Sequence, residues 1–159
     1  MKNVYQILDS LGVKYVKHEH PAVFTCQEAD KYWVNTAAAH TKNLFLKTEK
    51  PPHKYFLYIL ECKKRADLKS LSQSLSIGRL TFAKDYELMT ILGLTPGSVS
   101  PFGLINDKSH QVQVLIDLSL KDWKILLFHP NTNTVTLEIS SDDFTKFLSH
   151  TGHKPLPIK

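Results

Sequence analysis

The sequence predicts a single α/β domain in which helices pack against a mixed β-sheet. Its 159 residues are the length of one domain that can bury a sizeable core. The hydrophobic content of 42% and the charged content of 22% are ordinary for a globular protein and exclude extended disorder. Segments with helical spacing of apolar residues alternate along the chain with short segments typical of strands, and no segment repeats another.

Helices are predicted where apolar residues recur three or four positions apart between capping residues. Gly12 is suited to end the first helix, and Gly93 the fourth. Thr25 and Glu28 fit a capping box, and Asp67 lies near a helix start, where an anion is favoured. The five predicted helices cover 2–12, a segment from about 27, 68–75, 85–92, and a segment from 140 or 141 to 148.

Strands are predicted where apolar residues alternate or form short runs between turn residues. His20-Pro21 ends the first strand, and residues 49–52 and 130–133 turn the chain between later strands. The seven predicted strands cover 13–18, 44–46, 55–60, 80–82, 112–117, 123–128 and 134–139. Residues 37–40 are too weakly patterned to assign. We expect one domain over residues 1–152, followed by a polar, proline-interrupted tail at 153–159.

The chain is basic, with 20 lysines and arginines against 15 acidic residues and a formal charge of +5. This excess lies mainly in 42–54 and 63–69, and it suits a polyanionic partner such as nucleic acid. The longest apolar stretches are too short to span a bilayer, and the start of the chain lacks the pattern of a secretory signal. We therefore expect a cytoplasmic protein that does not enter membranes.

Several kinds of site find no support in the sequence. Cys26 and Cys62 lack CxxC spacing and are expected to be buried small hydrophobic residues. The eight histidines show no HExxH spacing, so neither a metal nor a cofactor is expected. The GxGxxG, GxxxxGK[ST] and GxSxG motifs are absent, which removes support for a dinucleotide site, a P-loop and a nucleophile elbow.

The segment 94–107 carries the strongest signal for ligand binding. Prolines and glycines interrupt it, yet it keeps apolar residues such as Val99 and Phe102. Pro96-Gly97 fits the centre of a type II turn, and Pro101 stiffens the backbone further on. A rigid apolar loop of this kind can hold a small ligand through its main chain. The alternative is a tight connection between a helix and a strand.

Polar residues at the ends of predicted strands are further candidates. Lys42 and Asn43 precede an apolar strand, where a lysine can meet an anion as a compact point charge. His129 follows another strand, and Asp117 ends a third. Each also has a structural interpretation: a solvated lysine, a hydrogen-bonded histidine or an acid that caps a turn.

Together these segments resemble the YbaK/ProX (PrdX-like) prolyl-tRNA-editing superfamily, and most closely its free-standing, alanine-type aminoacyl-tRNA deacylases. The resemblance runs over about residues 5–152. The segments that carry it are His18-Glu19-His20-Pro21 with Thr25 and Glu28, Lys42-Asn43-Leu44-Phe45-Leu46-Lys47, 69–80 with Arg79-Leu80-Thr81-Phe82-Ala83, 97–103, and His129-Pro130-Asn131.

The resemblance implies trans-editing, that is, hydrolysis of the alanyl ester on mischarged proline tRNA. It implies a metal-free mechanism in which the 2′-hydroxyl of the terminal adenosine helps to activate water. Its implied catalytic residues are Lys42, Gly97, Ser98 and Pro101. Its implied substrate-binding residues are Asn43, Phe45, Val99, Ser100, Asp117 and His129. Its implied tRNA-binding residues are Lys47, Lys50 and Arg79.

Two alternatives remain open at this level: a cysteinyl- or seryl-tRNA deacylase of the same family, and a tRNA-binding module without activity. The expected partner is proline tRNA, delivered by prolyl-tRNA synthetase or an elongation factor. The protein is expected to act as a monomer.

Overall fold

The computed structural model describes residues 3–23, 25–32 and 37–159. Within these residues five α-helices and eight strands form one mixed sheet with helices on both faces, which confirms the predicted fold class. The helices are α1 (Val4–Ser10), α2 (Cys26–Asp30), α3 (Leu68–Ser74), α4 (Asp85–Leu92) and α5 (Ser141–Thr151). The strands are β1 (Tyr15–Glu19), β2 (Ala38–Thr48), β3 (Tyr55–Glu61), β4 (Leu80–Phe82), β5 (Val112–Asp117), β6 (Ile125–Phe128), β7 (Val135–Ser140) and β8 (Leu156–Ile158).

The strand order is β1-β7-β6-β2-β3-β5-β8, and β4 also pairs with β2. Strand β2 is the centre of this arrangement. Its first residues pair in parallel with β6, and its later residues pair antiparallel with both β3 and β4. The strand therefore changes partners near His40, and this change leaves room for a pocket beside it.

The two faces of the sheet bury separate hydrophobic clusters. The larger cluster lies under α1, α4 and α5 and includes Phe45, Leu57 and Phe102. The smaller cluster lies under α3 and includes Leu46, Tyr58 and Leu60. Because neighbouring residues of a strand point to opposite faces, odd-numbered residues of β2 near Phe45 face the larger cluster and even-numbered ones face the smaller.

Most predicted elements are present, and two differences concern strands formed by distant residues. Strand β2 starts at Ala38, in the segment without a local pattern, because Ala38–His40 gain hydrogen-bond partners on β6. The predicted polar tail contains β8, which pairs in parallel with β5 and buries Ile158. His153, also in the tail, is buried against Asp107 with 2.9 Å between Nε2 and Oδ2.

The prediction for the cysteines was wrong in one respect. Cys26 at the start of α2 and Cys62 just after β3 form a disulfide, with Cα atoms 5.8 Å apart. The two residues are 36 positions apart, so local spacing gave no sign of the pair. The bond joins α2 to the part of the sheet beside β2.

Among the described residues, no helix is both long and apolar enough to span a bilayer.

Candidate active site

A pocket with a volume of about 350 Å³ opens beside β2, where β1, β6 and α2 meet the loop that follows α4. Five of the residues singled out in the sequence line it: Lys42, Asn43, Gly97, Val99 and His129. They come from three distant segments, and the change of partner by β2 brings them together. Thr41 anchors that point, because its hydroxyl donates to the carbonyl of Leu127 on β6 at 2.6 Å.

Lys42 supplies the positive charge of the pocket. The side chain is half-buried, and this burial lowers the pKa of its ammonium below the ordinary lysine value. Its ammonium makes no hydrogen bond or ion pair with any residue in the described part of the chain. A partly desolvated cation without a counter-ion is suited to bind an anion or a developing negative charge.

Asn43 supplies an acceptor. Its Oδ1 atom is buried and has no hydrogen-bond partner among the described residues. Leaving a buried polar atom unpaired is costly, and such atoms in native proteins call for an explanation such as a ligand or water. Asn43 is also one of the residues that line the pocket.

His129 and His20 form a second polar wall. The Nδ1 atom of His129 lies 2.9 Å from the carbonyl oxygen of Val135, so it carries a proton in that bond. Burial lowers the pKa of His129, although the bond to Val135 opposes this, so the ring is neutral at pH 7 and Nε2 is an acceptor. The His20 ring lies 6.1 Å from it and is held by Thr136, whose hydroxyl is 2.8 Å from Nε2 of His20.

The loop after α4 is built from a turn and a short 3₁₀ helix. Gly97 has φ of 86°, and the amide of Ser98 donates to the carbonyl of Thr95 at 3.1 Å, as the predicted type II turn requires. Ser100 is fully buried, and its hydroxyl accepts from the amide of Phe102 at 3.2 Å, which caps the 3₁₀ helix Pro101–Asn106. Gly97 and Val99 therefore face the pocket from a fixed backbone.

Three residues of this loop lie behind the pocket wall. Ser98, Ser100 and Pro101 are buried and do not line the pocket. They hold the loop in shape and offer no side chain to a ligand. Gly103 is also required there, because a Cβ at this position would lie 2.7 Å from Cδ1 of Leu94.

The structure does not bring Phe45 and Lys47 to the pocket. Phe45 is buried in the larger cluster and stacks on Tyr55, with ring centroids 5.7 Å apart. Lys47 is buried on the same face, and its ammonium donates to Oε1 of Glu87 at 3.0 Å. The expectation that Lys47 contacts tRNA is thus corrected: the odd-numbered face of β2 is covered by helices, so its ammonium is turned inward.

Asp117 is also away from the pocket. Its side chain is fully buried and accepts hydrogen bonds from Tyr58 at 2.6 Å, from Lys64 at 2.8 Å and from the amide of Ser119 at 2.9 Å. Burial by itself would raise the pKa of Asp117, but these donors outweigh it and lower the pKa to about 2. The carboxylate is therefore a structural anion, and the assignment to the substrate pocket is corrected.

Lys50 and Arg79 lie together at a second groove, between the β2–β3 turn and the segment that precedes β4. Lys54 also lines this groove. The three side chains are exposed, and Arg79 is in contact with Glu49, with 3.3 Å between Nε and Oε2. The groove presents a positively charged surface at the end of β2 opposite to the pocket.

His18, His20, Tyr32 and the disulfide are pocket residues to which the sequence assigned no role. For the histidines a signal was present. Residues two apart in extended backbone point to the same face, so His18 in β1 and His20 just after it predict a common surface. Tyr32 stacks on His20 with ring planes 15° apart, a contact that no local pattern indicates. No cluster of three metal-ligating side chains occurs in the described part of the chain.

Comparison with known proteins places these features in a family context. Residues 20–147 match the family model of the aminoacyl-tRNA editing domain. The chain is 34% identical over 146 residues to the prolyl-tRNA editing protein ProX of Acetoanaerobium sticklandii, covering 92% of this chain and 88% of that protein. It is 32% identical over 155 residues to prolyl-tRNA synthetase associated domain-containing protein 1 of Xenopus laevis, covering 95% and 91%.

Solved structures share the fold. A crystal structure of a hypothetical protein superposes with a TM-score of 0.74 and 16% identity, covering 97% of both chains. That of a candidate trans-editing enzyme for prolyl tRNA synthetase superposes with a TM-score of 0.70 and 22% identity, covering 96% of this chain and 91% of the other.

Proposed function

The chain belongs to the aminoacyl-tRNA editing domain family and is an aminoacyl-tRNA deacylase, and we propose that its substrate is alanyl-tRNA of the proline isoacceptor. One observation carries the proposal: Lys42, whose ammonium has no partner among the described residues, lines a pocket that is bordered by the fixed main chain of Gly97 and Val99.

The reaction is hydrolysis of an ester. Water attacks the ester carbonyl, the new carbon–oxygen bond forms, and the bond to the ribose oxygen breaks as that oxygen takes up a proton. The 2′-hydroxyl of the terminal adenosine assists the water. In this scheme Lys42 stabilises the negative charge of the substrate, and the main chain of Gly97 and Val99 positions the ester.

The remaining polar groups orient the substrate. Asn43 accepts a hydrogen bond from the terminal adenosine through Oδ1, which is otherwise unpaired among the described residues. His129 presents Nε2 as a neutral acceptor toward the amino acid. Lys42 does not act as a general base here, because a lysine ammonium needs a strongly lowered pKa for that role, and partial burial without a neighbouring cation supplies little of it.

Size sets the choice of amino acid. Val23, Val99 and Leu127 line the pocket, and the first and last of these are buried and packed. We propose that this wall admits alanine and excludes proline by overlap with the ring carbons, a stronger discrimination than a preference for one methylene. Cysteine and serine are close to alanine in size, so their esters are the competing substrates.

The test is deacylation of proline tRNA charged with alanine, cysteine, serine or proline. The wild type is expected to release alanine fastest and to leave proline in place. In Lys42→Ala the rate should fall about 100- to 1,000-fold, the loss typical of one transition-state donor. Since this ammonium has no partner among the described residues, the unfolding midpoint should stay unchanged.

Lys146→Ala is the matched control, because Lys146 is an exposed lysine on α5, and it should keep the full rate. A Lys42→Ala variant that hydrolyses the ester normally would contradict the role of Lys42. Fastest release of cysteine or serine would instead change the substrate. Binding of tRNA without any hydrolysis would indicate a tRNA-binding module without activity.

We further propose that the enzyme acts in the cytoplasm as a monomer and receives its tRNA from the synthetase or an elongation factor.

A further inference from the structure

Phe82 is an aromatic residue whose side chain is largely exposed on the surface of the fold. It ends β4 in the segment Arg79-Leu80-Thr81-Phe82-Ala83, where Leu80 is buried and Ala83 packs on the larger cluster. Phe82 is 57% exposed and has no aromatic contact with the described residues. Its ring is available to a partner.

The register of the sheet sets Phe82 on the same face as Lys42. Phe82 lies opposite Leu46 across the β2–β4 pair. Side chains of β2 alternate, so Lys42 shares the face of Leu46, which belongs to the smaller cluster. Lys42 and Leu46 are four positions apart on β2, a distance of about 13 Å along the strand. The exposed ring and Lys42 thus lie on one face of the sheet, with Leu44 and Leu46 between them.

The basic groove lies further along the same strand. Thr48, two residues beyond Leu46, lies opposite Leu80 and borders the groove of Lys50, Lys54 and Arg79. Along β2 the order is therefore a cation in a pocket, an exposed aromatic ring and a positively charged groove. We call Phe82 together with these three basic residues the β4 surface.

We propose that the β4 surface binds the unpaired 3′ end of the tRNA, with a base stacked on Phe82 and backbone phosphates in the groove of Lys50, Lys54 and Arg79. This inference rests on the proposed function, since it extends the acceptor end from the ester at Lys42. An aromatic ring between cationic side chains is the arrangement by which proteins hold single-stranded nucleic acid, because every base has a face to stack.

The charge of the surface favours RNA over an apolar protein segment as its occupant. Lys84 and Asp85, which follow Phe82 closely in the chain, are exposed, and the groove adds Lys50, Lys54 and Arg79 with one acidic residue, Glu49. Arg79 can exchange its exposed contact with Glu49 for a phosphate at little cost, because exposed ion pairs are weak.

The experiment compares two substrates that differ only in the bases beyond the ester. One is alanyl-tRNA, and the other is alanyl-adenosine, which fills the pocket and cannot reach Phe82. For Phe82→Ala we expect the KM for alanyl-tRNA to rise about 5- to 150-fold, the range for loss of one stacked base, with kcat unchanged. Hydrolysis of alanyl-adenosine should be unaffected. Phe82→Trp should restore the low KM.

Leu156→Ala is the control, since Leu156 is an exposed apolar residue on β8, at the far edge of the sheet. Equal KM values for wild type and Phe82→Ala on alanyl-tRNA would overturn the proposal, and so would an equal loss on both substrates. Binding of uncharged tRNA is measured on the same variants. A wild type that hydrolyses neither ester would contradict the proposed function. The binding of uncharged tRNA would still test the stacking, because Phe82→Ala must weaken that binding.

Discussion

The ion pair between Lys47 and Glu87 yields a sharp prediction, because the sequence suggested an RNA contact and the structure shows a buried charge. The side chains of Lys47 and Glu87 are 9% and 6% exposed. Glu87 also accepts from the hydroxyl of Tyr55 at 2.9 Å and from the amide of Lys84 at 2.7 Å. In Lys47→Met the carboxylate keeps these two neutral donors and loses its only cationic one among the described residues.

The expected loss of stability follows from this geometry. Removing one partner of a buried ion pair costs about 3–5 kcal/mol, and the two remaining donors favour the lower end. For a chain of this length each kcal/mol lowers Tm by about 2–4 °C, so Lys47→Met should lower Tm by roughly 6–20 °C at pH 7. Affinity for tRNA, measured on folded protein, should not change.

The pH dependence gives a second readout of the same variant. Burial by itself would raise the pKa of Glu87, but the donors Lys84, Lys47 and Tyr55 outweigh it and the pKa is lowered. The stability that this gives is complete above the ordinary pKa of 4.5 and is lost as pH falls through the lower folded value. In Lys47→Met the unpaired carboxylate takes up a proton more readily. The gap in unfolding free energy between variant and wild type should therefore shrink as the solution is acidified.

Urea unfolding at pH 7 and at pH 4 measures both effects, and filter binding measures the affinity for tRNA. Lys146→Met, which removes an exposed lysine of α5, should change the unfolding free energy by less than about 0.5 kcal/mol. A Lys47→Met variant as stable as the wild type, with weaker binding of tRNA, would refute the buried pair and restore the sequence-based role.

Two further predictions concern stability. Asp117, with its pKa lowered to about 2 from the usual 3.8, should contribute about 2 kcal/mol at pH 7 that is lost as pH falls from about 4 toward 2. Asp117→Asn should lose this stability and flatten that part of the pH profile in urea unfolding; an unchanged profile would mean that the carboxylate is not held. Opening the bond between Cys26 and Cys62, across 36 positions, should cost about 4 kcal/mol if it acts on the unfolded chain. Cys26→Ser and reduced wild type should then unfold at the same lower urea concentration, and a thiol titration that finds two free thiols before reduction would contradict the pairing.

The sequence predicts well those elements whose signals are local. β4, α4 and β5 have the predicted bounds, because apolar periodicity and turn residues mark both of their ends. The first residues of β2 and all of β8 carry no such pattern, and distant strands determine them. The local sequence of a segment does not reveal which distant strand it pairs with.

The residues of the site also fall into those that local sequence identified correctly and those that it did not. Lys42, Asn43, Gly97, Val99 and His129 meet at the pocket, each from a segment that the sequence singled out. Lys47 was misassigned because both faces of the sheet are covered, so alternation along β2 does not reveal an outer face. Its counter-ion is 40 residues away in the chain, beyond the reach of any spacing rule.

The fixed loop after α4 has a consequence for how this enzyme lineage can change. Its backbone is fixed by the turn at Gly97 and by the cap at Ser100, and main chain has no alternative rotamers. A new substrate range therefore has to arise from the side chains that line the pocket, such as Val23, Val99 and Leu127, which can be exchanged one at a time. Such exchanges leave Lys42 and the turn in place. Selection can thus change which mischarged amino acid is removed while the residues that support hydrolysis stay the same.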